Sequence, residues 1–112
     1  MNENLELLEL IGRKKELPTI CEGKRDAAAL KRLGFTRIIV LNAPLYAIVE
    51  RFDKKQRVQV LTDLDSEGRK LYSKLSSDLK QRGVYVDNEL REALFRTQVR
   101  QIESLATHLC QD

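Results

Sequence analysis

Four short runs of mostly apolar, often β-branched residues alternate with stretches of helical spacing, and few architectures satisfy that order. The runs are Thr19 to Glu22 after Pro18, Arg37 to Leu41 bounded by Asn42, Val58 to Thr62, and Val84-Tyr85-Val86. Each reads as a strand buried on both faces. Between them, Ala27 to Leu33 forms a helix closed by Gly34, and Pro44 opens another with Leu45, Ile48, Val49 and Phe52 at spacings of three and four. A long helix from about Ser66 to Arg82 carries Leu71, Leu75 and Leu79 on one face and stops at Gly83. Asp87-Asn88 can cap a helix beginning near Glu89.

The chain starts with a helix carrying Leu5, Leu7, Leu8, Leu10 and Ile11, whose basic end Arg13-Lys14-Lys15 suits the helix dipole. It ends in a helix with Val99, Ile102, Leu105, Ala106 and Leu109 on its apolar side. A helix followed by four strand–helix units predicts an α/β fold, a three-layer α/β/α domain with a four-stranded, mainly parallel sheet. With 112 residues, one domain is expected over 1–112: an N-terminal helix at 2–13, a core at about 17–87 and C-terminal helices at 88–110.

Composition narrows the function classes. Hydrophobic residues at 42% and charged residues at 33% describe an ordinary globular chain. No apolar run approaches the roughly 20 residues of a membrane span, and Asn2-Glu3-Asn4-Leu5-Glu6 is unlike a signal peptide. A cytoplasmic location, with no membrane partner, is the expectation. The formal charge of +3, with a pI near 9.0, permits nucleic-acid binding without establishing it. Any one basic cluster, such as Lys24-Arg25, Lys54-Lys55 or Arg69-Lys70, reads more simply as a solvated helix end or loop.

Cys21 and Cys110 are far apart in sequence, and Cys21 within Thr19-Ile20-Cys21 reads as a buried reduced thiol. The single histidine, His108, leaves no material for a zinc site and argues against a Cys-His pair or a Ser-His-Asp triad.

In a parallel α/β sheet, ligands bind beyond the carboxyl ends of the strands. Those ends are Glu22, Asn42, Asp63 with Asp65, and Asp87. For Asn42 and Asp87 the plainer reading is capping and turn formation. Glu22 is a poor capping residue and is followed by Gly23. Asp63 and Asp65, two apart in extended chain, face one side while Leu64 turns back into protein. Two such carboxylates repel unless a cation or proton lies between them, which suits Mg²⁺ or Mn²⁺. Lys24, Arg25, Arg69 and Lys70 fall in or near first helical turns, where cations oppose the dipole unless acids or a bound phosphate offset them. Gly23 and Gly68 allow close backbone approach, or are simple turn glycines.

Two segments carry a family resemblance. Glu22-Gly23-Lys24-Arg25-Asp26, with Ala29-Leu30 and Leu33-Gly34, resembles the first motif of the Toprim domain, and Asp63-Leu64-Asp65-Ser66-Glu67-Gly68-Arg69 resembles its D-x-D motif. The likeness covers about residues 17 to 87. Toprim domains occur in topoisomerases, bacterial primases, recombination mediators and nucleases, including a ribosomal-RNA-maturing enzyme. The resemblance implies Glu22 as general acid/base or metal ligand, and Asp63 and Asp65 as holders of Mg²⁺. Asp26 matches the last acid of the first motif, and Arg69 is the best candidate for a phosphate contact.

Tyr46, Tyr72 and Tyr85 read as packing residues rather than as a topoisomerase nucleophile, and there is no room for the further segments of a primase. The match is to small stand-alone Toprim proteins.

Two function classes follow. One is a Mg²⁺-dependent nucleic-acid-processing enzyme, a nuclease (hydrolase) or phosphodiester-transfer enzyme. The other is a non-catalytic module that binds nucleic acid or a protein partner. A blander third is a domain acting on a small phosphate ester. Three Phe and three Tyr, mostly in apolar patterns, argue against a stacking platform for single strands. The apolar faces of the terminal helices could contribute to a homodimer.

Overall fold

The structure, a computed structural model, describes residues 3–109; Asn2 and Cys110, each included in an expected helix, lie outside them. The elements are α1 (Glu3–Lys14), β1 (Thr19–Cys21), α2 (Lys24–Arg32), β2 (Ile38–Val40), α3 (Leu45–Val49), β3 (Arg57–Val60), α4 (Ser66–Gln81), β4 (Tyr85–Val86), α5 (Glu89–Phe95), a 3₁₀ turn (Ile102–Ser104) and α6 (Leu105–Leu109). The sheet is parallel throughout, in the order β2-β1-β3-β4. Thr19 pairs with both Ile38 and Gln59, which makes β1 a central strand.

The two-residue period of the strands divides the core into two layers. Cys21, Leu61 and Leu64 face α1, α2, α5, the 3₁₀ turn and α6, packing on Leu10, Leu30, Leu94 and Leu105. Ile20, Val58, Val60 and Val86 face the other way, onto Ile48 and Val49 of α3 and Leu75 and Leu79 of α4. Each layer removes the sheet's apolar side chains from water, at about 25 cal/mol per Å² buried. Gly34 and Gly83, at φ +97° and +86°, let the chain reverse after α2 and α4.

Three expectations need correction. The last helix does not run through Val99. The chain leaves α5 at Phe95, and Thr97 then folds it into a turn by donating to the Leu94 carbonyl and accepting from the Val99 N–H. Tyr46 and Tyr85 do not pack in the core; they are 68% and 58% exposed, and Tyr85 instead lies under the Arg57 guanidinium. The residues of β2 are half-buried rather than buried, because β2 is an edge strand with a neighbour on one side only.

Candidate functional site

Strand order reverses between β1 and β3: the chain passes from β1 to β2 on one side and returns to β3 on the other. The crevice at such a reversal is where open α/β sheets bind ligands. Glu22 leaves β1 there and Asp63 leaves β3. Glu22 Oε2 accepts a hydrogen bond from the Asp63 backbone N–H at 2.7 Å, joining the two strand ends directly.

The second acid of each motif has a local task. Asp26 Oδ2 accepts from the Gly23 N–H at 3.0 Å, the reach-back half of a capping box at the start of α2. Asp65 is the N-cap of α4, its Oδ1 accepting from the Gly68 N–H at 2.9 Å. Leu64 is buried between the half-buried Asp63 and the exposed Asp65, so it turns back into protein as the sequence suggests. Asp63 Oδ1 accepts from the Ile102 N–H at 2.8 Å, and the Leu64 N–H donates to the Arg100 carbonyl at 2.7 Å. The C-terminal turn therefore clamps the loop after β3.

Glu22, Asp26, Asp63 and Glu103 share a cleft of about 500 Å³ that Gly23, Lys24 and Arg25 also line, and Asp65 stands outside that lining. Burial raises the Glu22 carboxyl above its ordinary range. The Asp63 N–H works against that rise, while the charges of Asp63, Asp26 and Asp65 add to it. Asp26 is raised as well, by burial and then by the charge of Asp63. Neighbouring Cys21 is buried and free, its thiol pushed up to about 12 chiefly by desolvation, which makes it an inert core residue.

Among the described residues, no Lys or Arg pairs within 4.0 Å with Glu22, Asp26, Asp63, Asp65 or Glu103. Negative charge thus gathers at this edge with no ion pair to it among the described residues.

The basic candidates divide. Lys24 and Arg25 are exposed on the acid cleft. Arg69 lines a second pocket, between α4 and α5. Lys70 is exposed, 3.6 Å from Glu67. Asn42 is exposed, and Asp87 belongs to a structural network: Lys14 Nζ lies 2.9 Å from both Asp87 Oδ2 and Glu89 Oε1. Gly23 has open space where a Cβ would stand, whereas a Cβ on Gly68 would sit 1.9 Å from the Asp63 carbonyl oxygen. Gly68 thus serves the approach of α4 to the Asp63 loop.

Sequence reasoning missed Arg91, which is 4% exposed. Its Nη1 donates to the Val60 and Thr62 carbonyls and its Nη2 to the Asp63 carbonyl at 3.1 Å. The guanidinium stacks over the Tyr72 ring at 4.4 Å and stands 5.5 Å from the Phe95 ring. Arg91 fixes the backbone that presents Asp63. Its signal was faint: an arginine beside the apolar stripe Leu90, Ala93, Leu94 is usually a solvated flank. Glu103 was missed for a similar reason, since only the folded turn brings it to the cleft.

No helix among the described residues is long and apolar enough to cross a membrane. The chain is 36% identical to a UPF0292 protein of Methanocaldococcus jannaschii over 114 aligned positions, covering 92% of this chain and 89% of that one. It is also 36% identical to a UPF0292 protein of Pyrococcus abyssi, covering 82% and 74%. A solved structure of a protein from Aquifex aeolicus superposes with a TM-score of 0.80 at 26% identity, covering 90% of this chain and 96% of that one. The Toprim domain model matches residues 18–102, spanning both acidic motifs and the clamp at Ile102. With the parallel sheet and the Glu22–Asp63 junction, these matches establish that the chain belongs to the Toprim family.

Proposed function

We propose that the chain binds Mg²⁺ through Glu22 and Asp63 and processes nucleic acid as a nuclease or phosphodiester-transfer enzyme. The observation that carries this is the junction of the two strand ends, where Glu22 meets the Asp63 backbone among acids that form no ion pair among the described residues.

The donor set fits Mg²⁺. No three His, Cys, Asp or Glu side chains among the described residues gather into a ready-made cage. Mg²⁺ does not require one, being held by one or two carboxylates plus water and substrate phosphate. Mn²⁺ takes the same oxygen donors. A bound cation neutralises charge on phosphate oxygens.

Glu22 then has two uses. Oε2 is held by the Asp63 N–H, and its raised affinity for protons suits transfer to or from an attacking or leaving oxygen. Asp63 is oriented by the Ile102 N–H. Asp65 holds the start of α4 and adds negative charge to the site. Lys24 and Arg25, exposed at the cleft, are positioned to meet an incoming phosphate backbone.

The test is divalent-dependent cleavage of structured RNA and of DNA by the wild type, Glu22→Gln, Asp63→Ala, Asp65→Ala and Asp65→Asn. Asp65→Asn keeps a capping oxygen and so separates lost chemistry from the roughly 0.5–2 kcal/mol cost of losing a cap. Cleavage lost on changing Glu22 and Asp63 supports the proposal. Cleavage indifferent to all of these changes removes it. One observation favours the non-catalytic module instead: Asp65 and Asp26 each spend one carboxylate oxygen on a helix start, a structural role that needs no metal. That reading predicts strongly salt-dependent nucleic-acid binding without turnover.

A further inference from the structure

The pocket between α4 and α5 lies behind the loop that carries Asp63. It has a volume of about 450 Å³ and is lined by Arg69, Tyr72 and Ser73 from α4, Asn88, and Arg91, Glu92 and Phe95 from α5. That volume falls within the roughly 300–1,000 Å³ of small-ligand sites. Tyr72 and Phe95 supply ring faces, with the Arg91 plane stacked over Tyr72. Phe95 is 37% exposed although it is a large apolar residue. Asn88 Oδ1 accepts from the Tyr72 hydroxyl, fixing an amide whose NH₂ group is a donor. Glu92 is an exposed acceptor, and the exposed Arg69 supplies a positive charge.

A flat π-surface, a fixed amide and a cation match a planar heterocycle with polar edges and an attached phosphate. The connection to the acid site is short. Arg91 lines the pocket and bonds to the Asp63 carbonyl, and its guanidinium feels the charges of both Glu22 and Asp63.

Resting on the function proposed above, we infer that this pocket takes one unstacked base of a single-stranded segment, next to the phosphate engaged at Glu22 and Asp63, with Arg69 on the adjoining phosphate. The occupant is a single base, so the scarcity of aromatic residues is no obstacle. A base inside a duplex cannot enter, because its faces and pairing edge are already used. The pocket therefore directs the site toward single-stranded or frayed nucleic acid.

The experiment is fluorescence anisotropy with the full chain in Ca²⁺, a hard cation that takes the same oxygen donors, with the probe checked by gel to be uncut. The probes are a short fluorescein-labelled single strand and a duplex of the same sequence, with adenosine monophosphate as competitor. Phe95→Leu removes the ring at an exposed position, Phe95→Tyr retains it, and thermal melts check that both fold.

The expected result is tighter binding of the single strand than of the duplex. Phe95→Leu should weaken single-strand binding by about 5- to 150-fold, the range for losing one stacked base, with little change for duplex. Phe95→Tyr should restore it, and Arg69→Gln should lower the salt dependence by about one phosphate contact. Equal affinity of Phe95→Leu and wild type for the single strand, or no preference for single strand over duplex, overturns the inference. So does adenosine monophosphate competing as tightly as the strand, which would mark a free-nucleotide pocket. The cleavage assay is a separate readout. Phe95-dependent binding without cleavage leaves this inference standing and sinks the catalytic reading, while Phe95-independent binding with cleavage does the reverse.

Discussion

Replacing Gly68 with alanine would put a Cβ 1.9 Å from the Asp63 carbonyl oxygen, 2.4 Å from its carbonyl carbon and 2.8 Å from its Cα. Ordinary contact between heavy atoms is about 3.5 Å, so the start of α4 and the Asp63 loop must separate by roughly an ångström or more. The obstructing atoms are backbone, and no rotamer change relieves the clash. Two hydrogen bonds cross this contact: Gly68 N–H to Asp65 Oδ1 at 2.9 Å, and Thr62 Oγ1 to the Gly68 carbonyl at 2.7 Å. Each contributes about 0.5–1.5 kcal/mol, and overpacking adds roughly 1–3 kcal/mol. Alanine's better helix propensity returns about 1 kcal/mol, for a net loss of about 1–5 kcal/mol. The control is Gly12→Ala, in the last turn of α1 with nothing within 4 Å of the added methyl, which should gain up to about 1 kcal/mol. Urea unfolding of the two variants should move the midpoint in opposite directions with unchanged slope. A Gly68→Ala protein as stable as wild type would refute the claim that this glycine sets the approach of α4 to the Asp63 loop.

Two further outcomes follow from the charges. Glu22→Gln keeps an acceptor for the Asp63 N–H but removes a carboxylate whose proton affinity is raised from the ordinary 4.5, first by burial. Ionising that carboxylate disfavours the fold, so its contribution is best below the ordinary value and declines as pH rises through the folded one. Melting temperatures should therefore show Glu22→Gln gaining on wild type as pH rises above the ordinary 4.5; a constant or falling difference would contradict this. Asp87 has the opposite sign. Burial alone would raise it, but the Lys14 hydrogen bond, the Glu89 N–H and the charges of Lys14 and Arg57 together hold it below 3.8. Its stabilisation is present above that value and lost as pH falls through the folded one. Asp87→Asn should cost about 1–3 kcal/mol near neutral pH, by denaturant titration, with the gap to wild type closing in acid.

The fold was legible because its signals were local and repeated. Apolar runs with turn residues at their ends marked each strand, and leucines at four-residue spacing marked α4. Asp63 and Glu22 were legible because topology alone brings strand ends to one edge. Asp65 shows how one residue answers two descriptions. Its spacing from Asp63 pointed to a metal, while its place before Ser66-Glu67-Gly68 is that of a helix N-cap, the role its hydrogen bond fills. The break after Phe95 was not legible from periodicity, because Val99, Ile102 and Leu105 keep an apolar rhythm. The helix there loses to long-range bonds, Arg100 and Ile102 binding the Asp63–Leu64 backbone and side chain. Arg91 was hidden for the same reason: three carbonyls that meet only in the folded chain decide its burial.

The most direct test of the account is a Mg²⁺ titration followed through backbone amide resonances, repeated on Asp63→Ala and Glu22→Gln. The account predicts saturable shifts at Glu22, Gly23, Asp63 and the clamping Ile102 amide in wild type, absent from Asp63→Ala and weakened in Glu22→Gln. Saturable shifts that persist unchanged in both variants, or no shift at these amides even with oligonucleotide present, would contradict it.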